Sequence, residues 1–411
     1  MENNITKLWN KNFIKYVIAY ELTKIGVSLL RFAIPIHILI ATGDPTLVGT
    51  VFTLVWLPFV LFTPPGGLLA DRFNKRRIII LCNFLTAVAI IIYVILTGDD
   101  YSHVIPIAML VLATGLESLQ TSSSEAAIFY IVPEDKYLEA NSIASALMMG
   151  SGILAPIVAG FLLRNFDLNF ILYTSMASFL AGTLVYSFLK IPFEKKEVTR
   201  GFFKSVTVDL GSSFKYIWGQ KVLKRATIGL FFYAVAQFPI LALVPSVLIN
   251  NVLEMSGTSI GWAQGLIQGG GALGLVIIVM FGSKLNINIT KLSHLLVISS
   301  IIQLLTVAAF IMISDGSLAF ATIIIGLLLA NTALFVFSAI YFTYVGENTP
   351  EEMIGKIMSF AMTIMFLGGA VSQFVTGRLF NLFSDDLSIV ALIIPIIILV
   401  ASFTTRIKIE K

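Results

Sequence analysis

Charged side chains inside apolar stretches are the residues of this sequence whose types could do chemistry. Glu21, Lys24 and Arg31 fall in one long apolar stretch. At 100° per residue they share one helical stripe within about 80° of arc. A second stretch carries Glu117, with Thr114, Thr121 and Ser124 in a similar arc. A charge at the centre of a membrane helix costs about 2.5–3.5 kcal/mol on insertion scales, so both stripes are expected to face protein or water.

Two interpretations of these charges remain open. In one, Glu117 or Glu21 binds and releases a proton, while Arg31 tunes the proton affinity of that carboxylate or engages a ligand. In the other, the charges form a static salt-bridge network that holds the two helices together. Glu21 and Lys24 can also pair with each other at i,i+3 spacing.

Uncharged polar residues are the corresponding candidates in the second half of the chain. Gln237 and Asn331 are predicted to line a binding cavity; further candidates are Tyr233, Gln264, Gln268 and Tyr341. The alternative is hydrogen bonding between helices, which is favoured for Gln264 and Gln268. With 12% aromatic residues, the wall around them is expected to be apolar and suited to an amphipathic ligand. None of the three histidines has a companion at metal-ligand spacing, so no metal is expected.

The amino-acid composition indicates that these apolar stretches lie in a lipid bilayer. Of 411 residues, 57% are hydrophobic and 12% charged, with a mean hydropathy of +0.93. Soluble domains carry about 45–50% apolar and about 25% charged residues. This balance excludes a disordered chain and an ordinary soluble enzyme. Cys82 is the only cysteine, which excludes an intrachain disulfide scaffold.

Apolar stretches of membrane-spanning length predict an all-α membrane protein with twelve transmembrane helices in two six-helix bundles. The predicted spans are 13–40, 46–70, 77–97, 103–130, 137–163, 169–190, 225–249, 257–281, 291–313, 317–345, 352–376 and 386–405. One break is long, polar and rich in Lys. It divides the chain into an N-terminal bundle at 1–190, a cytoplasmic linker at 191–224 and a C-terminal bundle at 225–411.

The distribution of basic residues predicts the orientation. With the N-terminus in the cytoplasm, most of the 27 Lys and Arg fall on the cytoplasmic side. Only Arg164 and Arg378 fall outside, and Lys24 and Arg31 lie within the first span. The sequence therefore predicts a multi-pass protein of the cell membrane with both termini in the cytoplasm.

An internal repeat supports the division into halves. The stretch that begins at Pro133 aligns without a gap with the stretch that begins at Pro350, with matching Ser, Ala, Met and Gly positions along the helix. Both stretches begin on the same side of the membrane, so the halves have the same orientation. Parallel repeats of this kind are one of the known transporter plans.

A glycine- and arginine-rich loop after the second span is the sharpest motif. It reads Gly-Leu-Leu-Ala-Asp-Arg-Phe-Asn-Lys-Arg-Arg, and it resembles the loop signature of the major facilitator superfamily at Gly67, Asp71, Arg72, Arg76 and Arg77. In that family this loop is a latch between the halves on the cytoplasmic side. The alternative is a topogenic basic loop with an incidental Asp. The family also lines its central cavity with helices 1, 4, 7 and 10, which would allow Arg31 to meet Glu117.

The fifth span holds a second resemblance. Gly152, Pro156 and Gly160 match an exporter-type signature in which small residues allow close packing and the proline permits bending. The alternative is ordinary small-residue packing. The chain is similar to bacterial macrolide-efflux-type drug exporters, and the stretch before the basic loop resembles the lysophospholipid-transporter branch. Proton-coupled drug antiporters carry an Arg in the fourth helix, where this chain has Ala113 or Thr114.

The resemblance implies a secondary transporter and not an enzyme. The expected function is export of an amphipathic or drug-like small molecule by alternating access, as an antiport with protons. The expected partners are that molecule and the lipid bilayer, with no cofactor beyond an ion gradient, no nucleic acid and a monomeric state. The alternatives are a lipid or lysolipid transporter of the same fold and a non-transporting membrane receptor. The direction of transport stays open.

Overall fold

A computed structural model describes residues 7–97, 103–192, 202–282 and 288–407, and the regular structure of these residues is helical. The α-helices are α1 (Lys11–Thr42), α2 (Pro45–Arg72), α3 (Lys75–Thr97), α4 (Val104–Ala127), α5 (Tyr137–Asn165), α6 (Leu168–Ser187), α7 (Phe202–Gly219), α8 (Lys221–Leu241), α9 (Leu243–Val247), α10 (Gly257–Phe281), α11 (Leu292–Met312), α12 (Gly316–Asn348), α13 (Glu351–Leu382) and α14 (Leu387–Thr404).

Twelve helical segments of the described chain are long and apolar enough to cross a membrane, which confirms the predicted all-α membrane fold. The predicted span at 225–249 is longer in the structure, at Lys221–Val252, and it is interrupted. Backbone angles at Ala242 leave the helical region (φ −136°, ψ −71°) between α8 and α9. Pro239 and Pro245 flank this break, and because each lacks an N–H and crowds the preceding turn, the helix ends between them.

Aspartates begin several helices of the described chain. The Oδ1 atom of Asp44 accepts the backbone N–H of Thr46 at 2.8 Å before α2. Asp167, Asp315 and Asp386 cap α6, α12 and α14 in the same way. A side-chain oxygen satisfies an N–H that the first helical turn leaves free, and its negative charge suits the positive end of the helix dipole. These four aspartates therefore define where their helices begin.

The described chain groups into two compact units. The first unit comprises Met1–Ile34 with Leu61–Val206, and the second comprises Pro35–Val60 with Thr207–Lys411. This grouping follows the division of the chain into an early and a late half, except that the end of α1 and the start of α2 belong to the second unit. The bundle boundaries at 190 and 225 stay a prediction.

The predicted linker at 191–224 contains a helix. Residues 193–201 lie outside the described chain, and α7 and the start of α8 occupy much of the remainder. On α7 the rings of Phe214 and Trp218 stack with their centroids 4.3 Å apart. Within the second unit, Asp209 of α7 pairs with Lys356 of α13 at 2.8 Å. The linker is therefore partly ordered by contacts to a membrane helix.

Candidate functional site

A buried ion-pair network lies in the first unit. The Nζ atom of Lys24 is 3.0 Å from Oε1 of Glu117, and the guanidinium of Arg31 donates to the other carboxylate oxygen of Glu117. The Glu117 side chain is 5% exposed, whereas those of Lys24 and Arg31 are 16% and 23% exposed. Both oxygens of this carboxylate are thus held by cations, which is the condition under which a buried charge is tolerated.

Helix geometry explains why two residues of one helix reach the same carboxylate. Lys24 and Arg31 are separated by seven residues, which is about two turns, so they project from one face of α1. Glu117 lies on α4 and sits between them. The contact of Arg31 with Glu117 follows the expectation drawn from the sequence. The alternative pairing of Lys24 with Glu21 is wrong, because Lys24 donates instead to Glu117.

Glu21 has a different partner. The hydroxyl of Ser151 on α5 donates a hydrogen bond to Oε2 of Glu21 on α1. The second oxygen, Oε1, is buried and has no hydrogen-bond partner among the described residues. A buried carboxylate oxygen left in this state carries a desolvation cost that a proton or a ligand donor would remove. The two candidate carboxylates therefore differ in their partners: both oxygens of Glu117 contact a cation, whereas only one oxygen of Glu21 accepts a hydrogen bond among the described residues.

The small-residue motif of the fifth span forms a packing ridge. Ser151, Ala155 and Ala159 follow one another at four-residue spacing on α5, and all three are buried. Pro156 and Gly160 are also buried, while Gly152 is half-buried. Pro156 lies inside a helix that continues from Tyr137 to Asn165. Ser151 is the member of this ridge that meets a charge, a contact the sequence pattern did not indicate.

The uncharged polar candidates of the second unit meet directly. The side-chain amide of Gln237 on α8 donates to Oδ1 of Asn331 on α12 at 3.1 Å. Asn331 in turn donates to the carbonyl of Ile267 on α10 at 2.9 Å. The ring of Tyr233, one turn before Gln237, stacks on Phe337 with the centroids 5.2 Å apart. This pair therefore links three helices and leaves part of Gln237 accessible.

Gln264 behaves as the hydrogen-bonding alternative predicted for it. Its amide nitrogen donates to Oγ of Ser246 at 2.8 Å and approaches the carbonyl of Ala242 at 3.3 Å. Ala242 lies at the break between α8 and α9, and its carbonyl also accepts hydrogen bonds from the backbone N–H and the hydroxyl of Ser246. Gln264 thus stabilises the interrupted span.

An aromatic cluster in the second unit was not predicted from the sequence. Trp56 of α2 meets Phe238 of α8 edge-on at 4.7 Å and stacks on Phe366 of α13 at 5.7 Å between ring centroids. Phe59 lies 4.9 Å from Phe366. Large apolar residues are common in every membrane span, so composition gave no signal that these four rings meet. One ring of the cluster, that of Phe238, belongs to the residue that follows Gln237 on α8.

The basic loop makes local contacts in the first unit. Arg72 donates to Oγ of Ser205 at 2.8 Å, and Arg76 donates to the backbone carbonyl of Ser187. The backbone N–H of Arg77 bonds to Oδ1 of Asn74 at 3.2 Å, which begins α3. The side chain of Asp71 lies outside the described part of the structure.

The predicted glycine of this loop is not the one that packs. A side chain at Gly67 would meet nothing within 4 Å, whereas at Gly66 its Cβ would lie 3.2 Å from Oγ of Ser122 on α4. Gly66 therefore permits the close approach of α2 to α4, and Gly67 does not.

The described residues contain no group of three or more His, Cys, Asp or Glu side chains placed to hold a metal ion. The side chains described above can form ion pairs and hydrogen bonds with a ligand, and the carboxylates can bind a proton. The first unit supplies an ionised network and a partly satisfied carboxylate. The second supplies amide groups beside aromatic rings.

Comparison with known proteins agrees with this arrangement. The family model described as Major Facilitator Superfamily matches residues 17–373. Macrolide efflux protein A of Streptococcus pyogenes is 22% identical over 399 residues, which is 93% of this chain and 91% of that protein.

Solved structures share the fold. A variant of the nucleoside transporter NupG superposes with a TM-score of 0.76 at 15% identity, covering 96% of this chain and 99% of that chain. A D-xylose-proton symporter superposes with a TM-score of 0.71 at 14% identity, covering 96% of this chain and 95% of that chain. At these identities the likeness concerns the fold alone.

Proposed function

The chain belongs to the Major Facilitator Superfamily, whose members are membrane transporters and not enzymes, and on this premise we propose that it exports an amphipathic or drug-like small molecule in antiport with protons. The observation that carries the proposal is the contrast between two carboxylates inside the membrane spans: Glu117 is held by two cations, whereas Glu21 has a buried oxygen with no hydrogen-bond partner among the described residues. The similarity to macrolide efflux proteins over nearly the whole chain supports export as the direction.

Two carboxylates are candidates for the coupling proton, and the geometry favours Glu21. Glu117 has a cation on each oxygen and is expected to stay ionised. Glu21 has one oxygen bonded to Ser151 and one buried oxygen without a partner. A proton on that free oxygen removes a buried charge. Proton binding drives transport only when one facing state binds the proton more tightly, and the Ser151 contact supplies a bond between helices that such a change can alter.

Gln237 and Asn331 are assigned to ligand contact. The two side chains are hydrogen-bonded to each other at 3.1 Å, and Tyr233, one turn before Gln237, stacks on Phe337. A drug-sized ligand is held mostly by apolar contact and is oriented by a few polar groups. Arg31, which is partly exposed, is a second group that can reach an anionic part of a ligand.

The remaining assignments follow the family. Gly67, Asp71, Arg72, Arg76 and Arg77 form the cytoplasmic latch, and helix α5 with Gly152, Pro156 and Gly160 permits the change of conformation. The protein is a multi-pass membrane protein. We place it in the cell membrane as a monomer with both termini in the cytoplasm, in contact with the lipid bilayer and without a bound cofactor.

The test is transport by purified protein in proteoliposomes with an imposed pH gradient. Erythromycin, ethidium and lysophosphatidylcholine serve as labelled probes. We expect the wild-type protein to accumulate erythromycin or ethidium against a concentration gradient. We expect Glu21→Gln to lose this uphill transport while keeping exchange of probe across the membrane, because exchange needs no net movement of protons.

Glu139→Gln is the matched control, because Glu139 is an exposed carboxylate on α5 that pairs only with its neighbour Lys136 at 2.7 Å among the described contacts. Uphill transport by Glu21→Gln equal to that of the wild type would remove Glu21 from coupling. Transport of lysophosphatidylcholine alone, lost on Arg31→Gln, would replace the proposal with the lysolipid alternative.

A further inference from the structure

Two arginines of the second unit meet where α8 begins and α14 ends. The guanidinium of Arg225 on α8 donates to the backbone carbonyl of Arg406, just after α14, at 3.0 Å. The two helices are close here, since a Cβ at Gly229 on α8 would lie 3.8 Å from Cβ of Thr405. Arg225 and Arg406, the arginine pair, are 181 positions apart in the sequence and are brought together by tertiary structure.

The arginine pair carries positive charge that the described residues do not neutralise. Both side chains are exposed, and neither lies within ion-pair distance of a carboxylate in the described part of the chain. Lys221 lies four residues before Arg225 on the same face of α8, is exposed, and likewise forms no ion pair with a described residue. Like charges this close repel one another, so an anion that contacts them lowers the free energy of this end of the bundle.

An exposed apolar stripe leads away from the arginine pair along α14. Ile396, Val400 and Phe403 are spaced by four and three residues, so they share one face, and they are 49%, 64% and 56% exposed. The guanidinium carbon of Arg406 lies 4.6 Å from the centroid of the Phe403 ring. Since α14 is a membrane span, its exposed apolar face contacts acyl chains. A molecule at this place therefore meets cations at one end and a hydrocarbon-like surface along the rest.

We propose that this place is a binding site for one acidic phospholipid, such as phosphatidylglycerol. Its phosphate accepts hydrogen bonds from Arg225 and Arg406, Lys221 adds positive charge, and one acyl chain lies along Val400 and Phe403. Arginine suits this role because its planar guanidinium matches a phosphate group with two parallel N–H donors. The distribution of basic residues places this end of the bundle in the cytoplasm, and the lipid leaflet on that side carries a negative surface potential.

The lipid site is separate from Gln237 and Asn331, and lipid binding there does not depend on what the protein transports. Two other occupants would use only part of it. A free phosphate ion would use the cations alone, and a lipid without net charge would use mainly the apolar stripe.

The experiment measures lipid binding to the purified full-length protein by native mass spectrometry from detergent. Phosphatidylglycerol and phosphatidylcholine with identical acyl chains are the two probes. We expect the wild-type protein to prefer phosphatidylglycerol by about tenfold or more. Arg406→Gln should weaken phosphatidylglycerol binding about fivefold, the size expected for one basic residue near a lipid surface, and change phosphatidylcholine binding by less than about twofold.

Two further variants sharpen this measurement. Arg406→Gln keeps the bond between α8 and α14, because Arg225 donates to the backbone of Arg406 and not to its side chain. Loss of both arginines in the Arg225→Gln, Arg406→Gln double variant should lower the affinity for phosphatidylglycerol by about twentyfold. Arg406→Lys keeps the charge and is expected to retain most of the affinity. Size-exclusion profiles establish that each variant is folded.

Arg378→Gln is the matched control. Arg378 on α13 is exposed and lies over a ring of its own helix, that of Phe374, at 5.4 Å, but no second arginine is hydrogen-bonded to it among the described residues. Its replacement removes the same charge and should change phosphatidylglycerol affinity by less than about twofold. An equal loss in Arg378→Gln and Arg406→Gln would show a general effect of net charge and overturn the site.

Three other results would overturn the proposal. The first is equal binding of the two lipids by the wild type, and the second is an unchanged preference in the double variant. The third is displacement of phosphatidylglycerol by inorganic phosphate at the same concentration, which would show a site for free anions. The assay involves no transport, so its outcome is independent of the export proposed above.

Discussion

Ser151 on α5 donates its hydroxyl hydrogen to the carboxylate of Glu21 on α1. This bond joins the small-residue ridge of one helix to the charged stripe of another. Since Ser151 precedes Ala155 and Ala159 on the same buried ridge, any shift of α5 against α1 changes the environment of Glu21. The packing motif and the candidate coupling carboxylate are therefore parts of one contact.

Removal of the Ser151 hydroxyl should destabilise the protein. Ser151→Ala leaves both oxygens of Glu21 without a protein donor, and an unsatisfied buried group costs about 1–3 kcal/mol. We expect a lower midpoint of thermal unfolding in detergent. The control is Ser142→Ala on the same helix, because the exposed Ser142 hydroxyl donates to the carbonyl of Leu138 within α5, at 2.7 Å, and to no other group among the described residues. Equal midpoints for the two variants would contradict the structural role of Ser151.

The two cations of the ion-pair network should be energetically coupled to Glu117. Lys24→Met removes one of two partners of a buried carboxylate, and breaking a buried pair typically costs about 3–5 kcal/mol. In a Glu117→Gln background the same change should cost much less, because the charge that needed Lys24 is gone. Chemical unfolding of the four proteins in a double-mutant cycle measures the difference. Additive effects would show that Lys24 and Glu117 do not stabilise each other.

Close backbone packing in the second unit should make Gly377 intolerant of a side chain. A Cβ at Gly377 on α13 would lie 3.0 Å from Cα of Gly49 and 3.0 Å from the carbonyl of Pro45 on α2. The hydroxyl of Thr46 also donates to the carbonyl of Gly377 at 3.0 Å. We expect Gly377→Leu to lower stability by about 1–3 kcal/mol through overpacking.

Gly355→Leu provides the comparison for this prediction. Gly355 lies on the same helix, is exposed, and would place its Cβ with nothing within 4 Å. In thermal unfolding, Gly355→Leu should match or exceed the wild type, because glycine is a poor helix former. A similar loss in both variants would mean that α2 and α13 are not in close contact at Gly377.

Cysteine labelling should report the orientation drawn from the basic residues. Ser314 lies in the exposed turn before α12 and Lys190 in the exposed segment after α6. On a Cys82→Ala background, a membrane-impermeant maleimide added to intact cells should label Ser314→Cys. It should label Lys190→Cys only after the cells are opened. The reverse pattern would place the termini outside.

Much of the fold follows from local properties of the sequence. Hydropathy over about 20 residues is sufficient to identify a membrane span, and all twelve predicted spans correspond to helices of the structure. The interruption at Ala242 was not predicted, although Pro239 and Pro245 are visible in the sequence. A proline in a membrane helix is often tolerated, so its effect depends on the neighbouring helices.

The candidate site was likewise predictable from the sequence only where local helical periodicity decides the arrangement. Helical periodicity places Lys24 and Arg31 on one face of α1, because it depends only on residues a few positions apart. The choice of Glu117 over Glu21 as the partner of Lys24, the hydrogen bond from Ser151 and the four-ring cluster around Trp56 were decided by tertiary structure. These contacts join residues on different helices, and side-chain sequence alone does not determine how one helix is rotated and shifted against another. The sequence by itself determined which segments must lie in a membrane, because a long apolar stretch is favourable in lipid and a charged side chain is costly there. Packing alone decided which of their side chains meet.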